Sequence, residues 1–216
     1  VGFITRKDSR QTHKLLQLAN EALCVIPHRG GMNSLGVGDG AGINIDLSVE
    51  FFSKLTNIEL SKGNFGIGNF FMPANTKSIN KCKELISYNL RANGLQIKLW
   101  RKLPTDAEAV NKSSLAEQQD IYQFIILKPD NISCEEFESK LNTSLLSINK
   151  TIYYEKIYSG LFPLSLSSKV QVLKGRLNSG EVIRYFKDLS NTDMKISMLF
   201  FHTRFSTNTA PATSMA

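Results

Sequence analysis

Lys195-Ile196-Ser197-Met198-Leu199-Phe200-Phe201 runs straight into His202-Thr203-Arg204-Phe205-Ser206-Thr207-Asn208-Thr209, and the reading of this chain turns on that junction. Residues 195–201 alternate as a strand: Ile196, Met198 and Phe200 share one face, Leu199 and Phe201 the other. Apolar residues on both faces predict a strand covered on both sides. The polar continuation then emerges at the edge of a buried sheet, where a site is held rigidly. There the sequence sets Arg204 among short hydroxyl and amide side chains. A fixed guanidinium pairs with a carboxylate in a directional, charge-assisted way. An α-amino acid needs that grip, with small donors and acceptors around it. The competing reading of Arg204 is a loop arginine that saturates nearby carbonyls or faces solvent.

Working outward, the chain reads as alternating strands and helices. An opening strand over 1–5 precedes a helix over 9–26, with Ser9 as its cap and Leu15, Leu18, Ala19, Ala22 and Ile26 at helical spacing. Pro27 stops that helix, and 28–42 is a glycine-rich loop. A short strand over 43–47 and a short helix over 49–55 follow. The middle repeats one order: strand 65–72, helix 76–93 and strand 95–100, then strand 121–127, a helix with a Ser133/Glu136 capping box, and strand 161–166. Phe137, Leu141, Leu145, Ile148 and Ile152 form one stripe on that second helix. This order suggests a ferredoxin-like unit. Residues 170–173 are expected to pair with 161–166 as a hairpin, 104–119 to be an exposed connection, and 179–189 to be one helix.

Composition excludes several classes. The chain has 216 residues, of which 42% are hydrophobic, enough for one sizeable core. No apolar run reaches the ~18 residues that span a bilayer, and the start does not read as a signal peptide, so a cytoplasmic globular piece is expected. The net charge of +7 is spread along the chain. The densest basic region, from Lys77 to Lys102, has no interleaved stacking platform, which argues against nucleic acid and for a solvated face. Cys24, Cys82 and Cys134 have no paired spacing, and the three histidines are scattered, so neither a metal nor a disulfide is indicated. Packing is expected for Cys24 and Cys82, and a helix-surface place for His13.

Gly36-Val37-Gly38-Asp39-Gly40-Ala41 formally fits a dinucleotide fingerprint. That motif must follow a strand and open a helix, whereas this one follows a helix and opens a strand, which rejects it. Its glycines predict a tight turn with positive φ. Taken together in this order, His28-Arg29-Gly30, Gly38-Asp39-Gly40-Ala41-Gly42 and the octapeptide 202–209 resemble the glutaminase domain at the front of glutamate synthase large chains. That domain is a class-II, N-terminal-nucleophile glutamine amidotransferase. The resemblance implies an α+β fold, the four-layer αββα sandwich of N-terminal-nucleophile hydrolases, in one partial domain over 1–216. The segment 48–191 would be a subfamily insertion within it.

The resemblance also implies roles. Arg204 would bind the α-carboxylate of L-glutamine; Thr207, Asn208, Arg29 and Gly30 would line the same pocket, and His28 would be a packing or hydrogen-bonding residue. The family's nucleophile is a cysteine expected two residues before Val1, and its oxyanion asparagine-glycine pair is expected beyond Ala216. The chain as given is therefore expected to be inactive. FMN and an iron–sulfur cluster would belong to a full-length synthase, whose synthase domain or subunit takes the ammonia for 2-oxoglutarate. A stand-alone glutaminase subunit serving another acceptor, and a non-catalytic amino-acid-binding module, are the competing readings.

Overall fold

The computed structural model describes residues 1–26 and 30–204. In chain order these form β1 (Gly2–Thr5), α1 (Lys14–Val25), β2 (Ala41–Asp46), α2 (Val49–Thr56), β3 (Phe65–Phe71), α3 (Thr76–Ala92) and β4 (Ile97–Lys102). They continue with α4 (Lys112–Ala116), β5 (Ile121–Leu127), α5 (Cys134–Tyr154), β6 (Phe162–Ser167), β7 (Val170–Gly175), α6 (Val182–Tyr185) and β8 (Met198–His202). The fold is α+β, with one sheet ordered β1-β8-β2-β7 and another ordered β4-β5-β3-β6. Two compact units divide the chain: one holds Val1–Asn57, Pro104–Gln118 and the stretch from Val172 onward, the other Ile58–Leu103 and Gln119–Gln171.

The second unit has the order β-α-β-β-α-β. β3 pairs antiparallel with both β5 and β6, and β4 pairs antiparallel with β5. That is the split-βαβ arrangement of a ferredoxin-like unit, as the repeated strand-helix-strand pattern suggests. Its core lies between the sheet and the two long helices: Phe70, Phe124, Ile126 and Leu166 meet Cys82, Ile86 and Leu90 of α3, and Phe137, Leu141 and Ile148 of α5. Local signals set the helix starts. Asn75 Oδ1 accepts the Ser78 N–H at 2.8 Å, and Ser133 Oγ accepts the Glu136 N–H at 3.1 Å. The expected capping box is replaced on its return side by an ion pair, because the Glu136 carboxylate lies 3.6 Å from Lys140. Gly68 is required by close approach, since a Cβ there would sit 2.1 Å from the Phe124 ring that covers it.

The first unit is built around β8, which pairs antiparallel with β1 on one side and β2 on the other. Asp46, at the end of β2, fixes where β8 begins. Its carboxylate accepts the Ser197 N–H at 2.8 Å, the Met198 N–H at 3.0 Å, the Ser197 hydroxyl at 2.8 Å and the Gln11 amide at 3.0 Å. Ser48, the buried cap of α2, donates to the Asp193 carbonyl and accepts the Lys195 N–H at 2.9 Å. A side-chain ladder thus holds the segment that leads into β8.

Several expectations are corrected. β8 is not covered on both faces: Leu199 and Phe201 are buried, but Phe200 is 41% exposed and stacks on Phe3 at 4.5 Å. Its apolar alternation reflects a pair of surface rings rather than a second layer on that face. Residues 170–173 do not form a hairpin with 161–166; β6 joins β3, while β7 joins the sheet of β2. Residues 179–189 break into a 3-10 turn, α6 and another 3-10 turn. A full capping box does occur here, with Asn178 and Glu181 as its two members. The segment 104–119 is not a plain exposed connection, because Ser114 is fully buried and donates to the Arg176 carbonyl at 3.2 Å. Ser9 does not cap α1; it has φ 55°, and His13 takes the cap position. Cys24 is exposed rather than packed, whereas Cys82 is buried and its thiol is pushed up to about 11 by that burial.

The basic stretch is engaged within its own unit. The Lys83 ammonium lies 4.8 Å from the Tyr122 ring centre and 5.4 Å from that of Trp100, and Lys102 pairs with Asp120 at 2.7 Å. No helix among the described residues is long and apolar enough to cross a membrane.

Two substitutions test this packing. Phe124→Ala is expected to cost about 3–5 kcal/mol in denaturant unfolding, since the ring fills the space that Gly68 leaves. Asp46→Ala is expected to cost about 2–3 kcal/mol, because backbone donors at the start of β8 lose a charged acceptor.

Candidate substrate-binding site

Arg204 follows directly on β8, and its backbone is held by the strand's last residue: His202 Nδ1 donates to the Arg204 carbonyl at 2.9 Å. The Arg204 guanidinium donates to Asp39 Oδ2 at 3.2 Å, with side-chain exposures of 42% and 21% respectively. Asp39 comes from the glycine-rich loop, and its backbone N–H donates to the Gly31 carbonyl at 2.8 Å. Two of the three quoted motifs therefore meet in space. The residues between β2 and α1 and the residues after β8 share one corner of the first unit.

The loop's shape follows from its sequence. Asn33 closes a tight turn: its Oδ1 accepts the Leu35 and Val37 N–H groups, each at 3.0 Å. Gly36 in that turn has φ 76° and Gly40 has φ 121°, so the positive φ expected of these glycines appears at both. Gly38 has a different reason, as a Cβ there would lie 2.2 Å from the Leu177 carbonyl oxygen. Asn111, the cap of α4, donates to the Gly36 carbonyl at 3.1 Å, and Asn178 donates to the same oxygen at 3.3 Å. The turn is thus tied down by side chains from two separate parts of the chain. Asp39 precedes Gly40, after which the chain enters β2, so the dinucleotide reading is excluded by the strand that follows the motif.

Behind Arg204, His202, Gly42 and Lys174 crowd together. A Cβ on Gly42 would lie 2.3 Å from Lys174 Cβ and 2.8 Å from His202 Nε2. Burial lowers the His202 imidazole below its ordinary range; the bond to Arg204 opposes that shift and Lys174 adds to it. Burial also lowers Lys174. His13 sits elsewhere, with Nδ1 at 3.1 Å from the Met194 carbonyl, and works as a tie between α1 and the approach to β8.

Among the residues expected at the site, Arg204 lies at this corner and Gly30 directly precedes Gly31 there. Arg29, Thr207 and Asn208 lie outside the described residues, as does His28. Asp39, Gly31 and His202 were not singled out as site residues by sequence. Asp39 was the findable one: an acidic side chain enclosed by glycines is a turn that also carries a charge. No group of three or more His, Cys, Asp or Glu side chains gathers as a metal site among the described residues.

Fold and corner together describe an α+β chain whose central strand ends in a loop-held arginine–aspartate pair. The chain belongs to the class-II glutamine amidotransferases, whose family model matches residues 1–216. Its relatives include the NADH glutamate synthase of Saccharomyces cerevisiae, 30% identical over 223 residues that cover 98% of this chain and 10% of that protein. The ferredoxin-dependent glutamate synthase of Antithamnion sp. is 30% identical over 230 residues, covering all of this chain and 14% of its own length. The NADPH glutamate synthase large chain of Azospirillum brasilense is 27% identical over 221 residues, again with 14% of its length covered. The chain thus spans 10–14% of the length of these relatives.

A titration tests the His202 environment. Unfolded chain takes up a proton at about pH 6.5, before the half-buried imidazole does, so stability is present above that pH and falls as the pH drops below it. Thermal unfolding is expected to show this acid loss. His202→Asn, whose amide still donates toward Arg204, should flatten it; an undiminished slope would assign the loss to other groups.

Proposed function

We propose that this chain is the glutamine-binding part of the glutaminase domain of a glutamate-synthase-like enzyme. Arg204 holds the α-carboxylate of L-glutamine, with Arg29, Gly30, Thr207 and Asn208 around it. The reading rests on one observation, the antiparallel register of β1 and β8. Gly2 lies opposite Phe201. Continuing that ladder by three residues brings the second position before Val1, where the family's cysteine is expected, opposite Arg204. A nucleophile placed there stands beside the group that orients its substrate.

The chemistry follows from that neighbourhood. The cysteine thiolate attacks the side-chain amide carbon of glutamine. The free α-amino group of the same residue accepts the thiol proton and passes it to the departing nitrogen. The tetrahedral intermediate needs donors for its oxyanion, and removing one such donor typically costs ~10²–10³ in rate. An asparagine-glycine pair beyond Ala216 supplies them. Collapse releases ammonia and leaves a thioester, which water hydrolyses to glutamate.

In the parent enzyme the ammonia is passed to a synthase domain or subunit that converts 2-oxoglutarate to glutamate. FMN and an iron–sulfur cluster serve that part. The described residues offer no cluster of ligands for iron. The fold is read as the αββα sandwich of N-terminal-nucleophile hydrolases, with the segment 48–191 as a subfamily insertion.

A protein extended at both ends is expected to hydrolyse glutamine, and Arg204→Ala in it to raise KM by roughly 10- to 150-fold, the loss of one charged pair. An unchanged KM would remove the carboxylate role.

A further inference from the structure

We infer that Asp39 is a positioning residue, which holds the Arg204 guanidinium in the orientation that receives the substrate carboxylate. The inference deepens the proposed function and rests on it. Arg204 is a long side chain at a partly exposed strand end, and left alone it samples many rotamers. Asp39 Oδ2 accepts from its terminal nitrogen at 3.2 Å, and among the described residues this one contact leaves further guanidinium donors for a second carboxylate.

Asp39 is itself fixed from two directions. Its backbone N–H is bound to the Gly31 carbonyl at 2.8 Å. Its carboxylate occupies the space a side chain at position 31 would fill, because a Cβ there would sit 1.6 Å from Oδ2. The turn that precedes it is pinned through the Gly36 carbonyl by Asn111 and Asn178. Gly31, Asp39 and Arg204 thus form a stack in which a missing side chain makes room for a carboxylate, and the carboxylate aims a guanidinium. The ion pair is too exposed to matter much for stability. Its effect is on the order already present in Arg204 before substrate arrives.

The test uses the full-length protein and steady-state hydrolysis of L-glutamine. Asp39→Asn keeps the shape and the backbone bond but removes the charge. It is expected to raise KM roughly three- to tenfold, the cost of ordering one flexible side chain, with kcat falling by less. In an Arg204→Ala background the same change should add nothing to KM. Gly31→Ala, which displaces the carboxylate without altering its charge, should raise KM in the same way and serves where Asp39→Asn does not fold. Inhibition by glutaramate, which keeps the carboxylate but lacks the α-amino group, should weaken in Asp39→Asn as glutamine binding does. An unchanged KM in Asp39→Asn or Gly31→Ala, additivity with Arg204→Ala, or glutaramate inhibition that is unaffected would overturn the inference. The last result would make Asp39 a direct partner of the α-ammonium instead. If Arg204→Ala itself left KM unchanged, the proposed function would fail, a result separable from failure of Asp39 alone.

Discussion

The pairing of β8 with β1 on one edge and β2 on the other organises everything in the first unit. A strand bonded on both sides cannot slide by one residue without turning Leu199 and Phe201 out of the core. The Asp46 carboxylate reinforces that register where the strand starts, and the His202 ring holds the Arg204 carbonyl where the strand ends. Arg204 inherits its place from these constraints. So does the beginning of the chain, because β1 is aligned against the same strand.

Much of this was legible in the sequence. Helices and strands with strong periodicity, such as α3, α5 and β5, appear with almost the expected limits, since each carries its own cap or flanking proline. The ferredoxin-like order was legible for the same reason. The failures share a cause: they concern pairing and layering, which depend on residues far apart in sequence. Nothing in residues 161–175 reports that β6 and β7 belong to different sheets. Phe200 looked like core because an apolar ring reads alike whether it faces a second layer or stacks on Phe3 at the surface.

The site was partly legible. Arg204 was chosen from its position after an apolar strand, and the glycine loop from its composition. Asp39 was present in the quoted motif, yet sequence alone does not show that its carboxylate reaches Arg204. Gly31 is harder still. A glycine retained to make space for another residue's side chain leaves no local signature, because the requirement lies in its neighbour.

The order in which the chain is threaded bears on how it reaches this state. The ferredoxin-like unit has all its strands once residue 171 is made. The first sheet instead waits for β8, the last of its described strands to leave the ribosome, and until then β1 and β2 have no middle strand to join. Until β8 emerges, open strand edges are exposed, and unpaired strands are prone to stick to other chains. Nascent molecules of this kind would depend on chaperones chiefly for their front end.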